Sequence, residues 1–173
     1  MVDTQMWIGT AELSPSKFEQ PQNQDDPVHK PRGGLWTSTV TDDHRSGWLD
    51  WVERESFHSG EEEVWHLEPE DGLDVMIIED QPHLDAILEN YGRDLGTATL
   101  ATQARTFAPL DFEAIAENYD AIRLTEQGQW NTRMSRPGLY GWDCESVLWL
   151  CWAFESIEYQ GHIGDYIEAI NHE

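Results

Sequence analysis

The stretch Lys30-Pro-Arg-Gly-Gly-Leu-Trp-Thr-Ser-Thr-Val40 is where the fold of this chain is decided. Two adjacent glycines lose much chain entropy on folding, so Gly33 and Gly34 mark a backbone that turns tightly or lies against something. The residues after them, rich in Trp and Thr, suit a pleated strand. We therefore expect a strand over Gly34–Thr39, with Trp36 and Ser38 on one of its faces. Trp36 is then either a core anchor or a platform for a flat ligand.

Working outward, Gln5–Ala11 reads as a first strand ending near Gly9. Residues 12–30 are polar and punctuated by proline, which predicts a surface loop. Downstream, Ser46 can cap a helix running to about Ser56, with Trp48, Leu49, Trp51 and Val52 spaced for one apolar face. Strands are expected over Val64–Leu67 and Leu73–Ile78, and a helix over His83–Tyr91. Gly92 and Gly96 open a loop. Asp111 caps a helix over Phe112–Asn118, which runs into a strand at Tyr119–Leu124. Arg133–Gly141 reads as a loop. Ser146–Phe154, an unbroken apolar run, reads as a long central strand, and Tyr166–Ile170 as a short helix. The pattern is one α+β domain over residues 1–173 in which strands outnumber helices, a mixed sheet with flanking helices.

Composition bounds the function classes. The chain has 173 residues, 34 acidic and only 10 basic, for a net charge of −24. Lys17 and Lys30 are its only lysines. Carboxylates spread along the chain, with lysine depleted, fit a surface built for molar salt, where charge repulsion is screened within about 3 Å. The rival reading is an acidic mimic of nucleic acid. Either way, the charge disfavours binding to nucleic acid or to anionic membranes. No apolar stretch approaches the roughly 20 residues that span a bilayer, and the N-terminus lacks a secretory signal pattern. The expected location is therefore the cytoplasm of a salt-loving host, or a virus particle. Cys144 and Cys151 fit no zinc spacing and read as reduced thiols, and the seven His show no ligand spacing. No metal site is expected.

Three blocks in chain order carry a resemblance. They are Trp7-Ile8-Gly9-Thr10, Gly34-Leu35-Trp36-Thr37-Ser38 followed by the Ser46-led helix, and Asp143-Cys144-Glu145-Ser146 entering the apolar run. This order resembles the ADP-ribosyltransferase fold, the split β-sheet of diphtheria-type toxins and poly-ADP-ribose polymerases. The resemblance implies a split mixed sheet and NAD as substrate. It implies that Gly9 and Thr10 read the nicotinamide amide, and that Gly34 and Trp36 lie against the ring, with Trp36 stacking on it. Ser38 then sits near the ribose, and Glu145 stabilises the cationic sugar left when the glycosidic bond breaks. Asp143 occupies the place of the first acid in the Glu-x-Glu of arginine-modifying members. The position that carries His or Arg in the family is Ile8, which cannot hydrogen-bond a ribose. The implied acceptor, protein or small molecule, is not named by any motif.

The Lys-Pro-x-Gly-Gly-Leu-Trp block is also similar to one in uncharacterised viral and prokaryotic proteins. This leaves open a second class, a catalytically degenerate copy of the fold acting as a virion-associated structural or protein-binding module. Lys30 and Arg32 stand out because basic residues are scarce, and suit either a pyrophosphate or the chain's own acids.

Overall fold

A computed structural model describes residues 2–25, 30–94 and 107–172. Gly96 and part of the 12–30 loop therefore lie outside the described residues. The strands are β1 (Gln5–Gly9), β2 (Leu35–Thr39), β3 (Glu63–Pro69), β4 (Val75–Ile78), β5 (Ala121–Leu124), β6 (Ser146–Trp149) and β7 (Phe154–His162). The helices are α1 (Gly47–Arg54), α2 (Gln81–Tyr91), α3 (Phe112–Ala116), α4 (Glu126–Thr132) and α5 (Ile163–Ile170). All seven strands form one mixed sheet in the order β4-β5-β6-β2-β1-β3-β7. The β4–β5 pair is parallel and every other neighbouring pair antiparallel.

The seam between β1 and β2 shapes the molecule. Their ladder consists of two pairs, Gln5 with Thr39 and Met6 with Ser38. Beyond these, Trp7, Ile8 and Gly9 stay with β3, while Leu35, Trp36 and Thr37 pair with β6. Two half-sheets thus meet along a short hinge and part on one side of it.

The glycine pair of the opening stretch makes this geometry possible. Gly33 and Gly34 both have left-handed backbones, with φ of 73° and 68°. A Cβ on Gly33 would lie 2.5 Å from the Gln20 carbonyl oxygen. One on Gly34 would lie 2.7 Å from Leu148 Cδ1 and 3.0 Å from the Trp149 oxygen. Both positions need glycine for conformation and for close approach at once.

Alternation along the strands sends side chains to two faces. Ile122 and Leu148 join Met76, Ile78, Leu84, Ile87, Phe112 and Ile115 in a core beneath α2 and α3. Ala121, Val147 and Trp149 face the other way and pack with Leu67 and Phe154. A third core, Met6, Leu49, Val52, Val64, Ile163 and Tyr166, seats α1 and α5 on β1 and β3. Caps set the helix starts: Ser46 accepts from the Leu49 N–H, Asp80 from His83, Asp111 from Ala114 and Thr125 from Gly128.

One expectation is corrected. Ser146–Phe154 is not one strand; β6 ends at Trp149, and β7 begins at Phe154 on the opposite edge of the sheet. The break falls among apolar residues because both halves stay buried: Leu150 joins the core under α2, while Trp149 and Phe154 rings meet at 4.5 Å on the other face. Hydrophobicity alone cannot mark such a turn. Helix α4 lies where the sequence carried no expectation, because Glu126–Thr132 is polar and contains Gly128. That glycine lets the helix sit against the end of β4, where a Cβ would come within 2.0 Å of the Ile78 oxygen. None of the helices among the described residues is long and apolar enough to cross a membrane.

Candidate active site

Glu145 stands immediately before β6, its side chain 13% exposed. The β2–β6 ladder runs as far as Thr37 opposite Val147. Past that pair the carboxylate takes the place of a main-chain partner: Oε2 accepts from the Thr39 N–H at 2.9 Å. Thr39 Oγ1 donates to Oε1 at 2.7 Å, and Ser38 Oγ donates to Oε2 at 3.0 Å.

Each hydroxyl is the last link of a chain of donors pointing toward Glu145. On one side, the Trp149 indole N–H donates to Thr37 Oγ1 at 2.8 Å, and Thr37 Oγ1 donates to Gln5 Oε1 at 2.8 Å. Gln5 Nε2 then donates to Thr39 Oγ1 at 3.1 Å. On the other side, the Trp48 N–H in the first turn of α1 donates to Ser38 Oγ at 3.1 Å. Buried chains with every member satisfied hold their end groups rigidly. Gln5, Thr37 and Ser38 are all buried, as such a network requires.

Two depressions flank the Asp143–Cys144 segment. The first, about 240 Å³, lies in the split between the half-sheets and is lined by Trp7, Ile8, Gly34, Trp36 and Trp48. Trp36 is not an open platform there. Its ring meets Trp142 edge-on at 4.7 Å, and the Lys30 ammonium sits 4.7 Å from its centroid. Lys30 also reaches Asp143 at 3.9 Å. Burial lowers the Lys30 pKa, with the Asp143 charge opposing the shift. The second depression is a larger cleft of about 760 Å³, onto which Glu145 and Thr39 open.

The expected site residues are therefore only partly brought together. Glu145 and Ser38 are in direct contact, and Gly34 and Trp36 share the split. Trp36 and Glu145 line different depressions on either side of Cys144. Gly9 closes β1 opposite Glu63, under the ring of Trp7, and Thr10 is exposed; neither lines the split. The sequence reading missed Thr39 and Gln5, although the hydroxyl run Thr37-Ser38-Thr39 in a buried strand was a signal for them. Cys144 lies between the two depressions with its thiol pushed up to about 12, first by burial and then by the Glu145 charge. It is no nucleophile at neutral pH. Among the described residues, no three His, Cys, Asp or Glu side chains gather as a metal site.

No family model matches this chain, and no curated protein and no solved structure matches it either.

Proposed function

We propose that this protein consumes NAD in the manner of an ADP-ribosyltransferase, with Glu145 as the carboxylate that stabilises the cationic sugar. The observation that carries this is the Glu145 carboxylate, fixed by Ser38 and Thr39 of the strand beside the split. A negative charge held without reorganisation beside a developing positive charge lowers a barrier most effectively. In the reaction the bond between the nicotinamide nitrogen and the ribose carbon breaks, and its electron pair neutralises the pyridinium. An acceptor lone pair then bonds to that carbon, and the acceptor's proton leaves to solvent.

The split suits one ring, its 240 Å³ being below the roughly 300–1,000 Å³ of whole-ligand pockets. Glu145 does not line it, so the sugar must extend past Asp143 and Cys144 to meet the carboxylate. The rest of a dinucleotide lies outside the split. A ring entering against Trp36 displaces the Lys30 ammonium, which then faces the ligand's phosphates.

A second reading, a binding module without turnover, is favoured by Ile8 on the wall of the split and by Lys30 on the Trp36 ring. One experiment separates them. The protein is incubated with NAD in molar potassium chloride, as its acid-rich composition calls for, and released nicotinamide is measured alongside the melting temperature. Release supports the enzyme. A raised melting temperature without release supports the binding module, and neither effect refutes both.

A further inference from the structure

Basic residues are rare in this chain, yet Arg45, Arg54, Arg123 and Arg133, four of its 10, line the cleft onto which Glu145 opens. They come from four places: the loop before α1, the end of α1, the middle of β5 and the residue after α4. Arg45 is committed to Asp50, at 2.6 Å, and to Glu53. Arg54 pairs with Glu55 at 3.2 Å, but both side chains are exposed. Arg133 donates to the Asp143 carbonyl at 3.4 Å and lies over the Tyr140 ring, 5.3 Å from its centroid, with no carboxylate in ion-pair range among the described residues. Arg123 is the least satisfied. Its Nε is buried without a hydrogen-bond partner among the described residues, and its nearest carboxylate oxygen, on Glu145, is 3.9 Å away.

The carboxylate that pairs with Arg123, Glu145, stands at ion-pair range without a hydrogen bond to Nε and is itself held by Ser38 and Thr39. The remaining acids of the cleft are largely taken: Asp50 by Arg45 and Asp143 by Lys30. That leaves Arg54, Arg123 and Arg133 facing Glu126, Glu145 and Asp43, whose carboxylate accepts from the Thr41 hydroxyl. Guanidinium groups are forked donors matched to oxyanions, and several around one cleft suit an anion with several oxygens. Trp130, 74% exposed on α4, adds an apolar ring to the same wall. Such a ring on the rim suits stacking by a flat base.

We infer that the arginine-lined cleft binds a phosphate monoester attached to an aromatic base, that is, a nucleotide, as the second substrate. The role of acceptor rests on the function proposed above; binding as such does not.

Adenosine 5′-monophosphate is the probe, titrated calorimetrically at the lowest salt at which the protein remains folded, with adenosine as the uncharged comparator. The nucleotide is expected to bind and adenosine to bind at least tenfold more weakly. Arg123→Gln should weaken nucleotide binding about tenfold or more, the loss of a charge-assisted hydrogen bond. Because Arg123 is in the sheet, the pair R54Q/R133Q provides a second variant with the same expected loss, its melting temperature read alongside because Arg133 also holds the Asp143 carbonyl. Lys17→Gln, an exposed cation outside the cleft, should leave binding unchanged. No binding at millimolar nucleotide, or equal binding by R54Q/R133Q, overturns the inference. Nicotinamide release from NAD is scored separately, so loss of the nucleotide site and failure of the NAD reaction are told apart.

Discussion

Replacing Glu145 by Gln separates a catalytic carboxylate from a structural one, because the two roles move different observables. The side chain closes the β2–β6 ladder, so some loss of stability follows whatever its function. A glutamine carbonyl placed at Oε2 still accepts from Ser38 Oγ and Thr39 N–H. The amide then faces Thr39 Oγ1, which must accept rather than donate and leaves its own proton without a partner. Two bonds change from charged to neutral acceptors, at about 1 kcal/mol each, and one half-buried donor goes unsatisfied at about 1–3 kcal/mol. The sum is about 3–5 kcal/mol, or about 6–20 °C in a domain of this size. Urea unfolding and calorimetry measure that part. If Glu145 also stabilises the cationic sugar, nicotinamide release from NAD falls by about 100- to 1,000-fold at a temperature where the variant is fully folded. Turnover within threefold of wild type in a folded variant refutes the catalytic role and leaves only the ladder-closing one.

Three further outcomes follow from the geometry. Gly72→Ala meets no neighbour within 4 Å and carries only a left-handed backbone, so it should cost about 1–2 kcal/mol. Gly34→Ala adds collisions with Leu148 and the Trp149 carbonyl and should cost at least twice as much by urea midpoint; equal costs would mean the close approach is unimportant. His66 is held below its ordinary pKa by burial and then by His44, with Glu158 and Glu68 opposing. The Tyr166 hydroxyl donates to the His44 carbonyl, so His66 Nε2–H must be the donor to Tyr166, at 3.0 Å. The unfolded chain takes up the His66 proton first, so this contribution is present above about pH 6.5 and lost as pH falls through the lowered folded value. The wild-type minus His66→Asn difference in unfolding free energy should shrink from pH 7.5 to pH 5; a constant difference contradicts it. Cys144 and Cys151, raised to about 12 and about 11 chiefly by burial, should resist alkylation at pH 8 in the native state and react after unfolding, as read by mass spectrometry.

What was legible in the sequence depended on whether a signal is local. Ser46, Asp111 and the helix face around Leu49 and Val52 announce themselves within a few residues, because caps and helical periodicity are local. The Gly33-Gly34 pair correctly marks the start of β2, though its tightest neighbours, the Gln20 carbonyl and Leu148, are remote in sequence. Where burial is continuous, periodicity says nothing about direction, and so the turn between Trp149 and Phe154 could not be seen. Edge strand β7 and helix α4 were hidden for the opposite reason: their exposed, polar residues leave no apolar pattern.

The site divides along the same line. Glu145 was legible as an acid at the head of an apolar run, and Ser38 as its neighbour in the resemblance, since each needs only its own strand. Its other donors depend on the hinge. Gln5 reaches Thr37 and Thr39 because β1 and β2 pair at only two positions before parting. The arginines depend on more still, since residues 45, 54, 123 and 133 share no spacing and are gathered by β5, α1 and α4 only after folding. Scarcity of basic residues in the composition drew attention to Lys30 and Arg32 instead. When a chain keeps so few cations, four of them in one cleft call for an explanation that solubility does not supply. The same hinge gives the molecule two unlike recesses. The split, walled by Trp7, Ile8, Trp36 and Trp48, is apolar and narrow; the cleft beyond Cys144 is wide and arginine-lined. The Asp143–Glu145 segment forms the partition, tied to α4 by Gln129 and Arg133 through the Asp143 carbonyl and to β2 by Glu145. The proposed function requires the Glu145 carboxylate to act across the partition, between a ring bound on one side and an anion bound on the other.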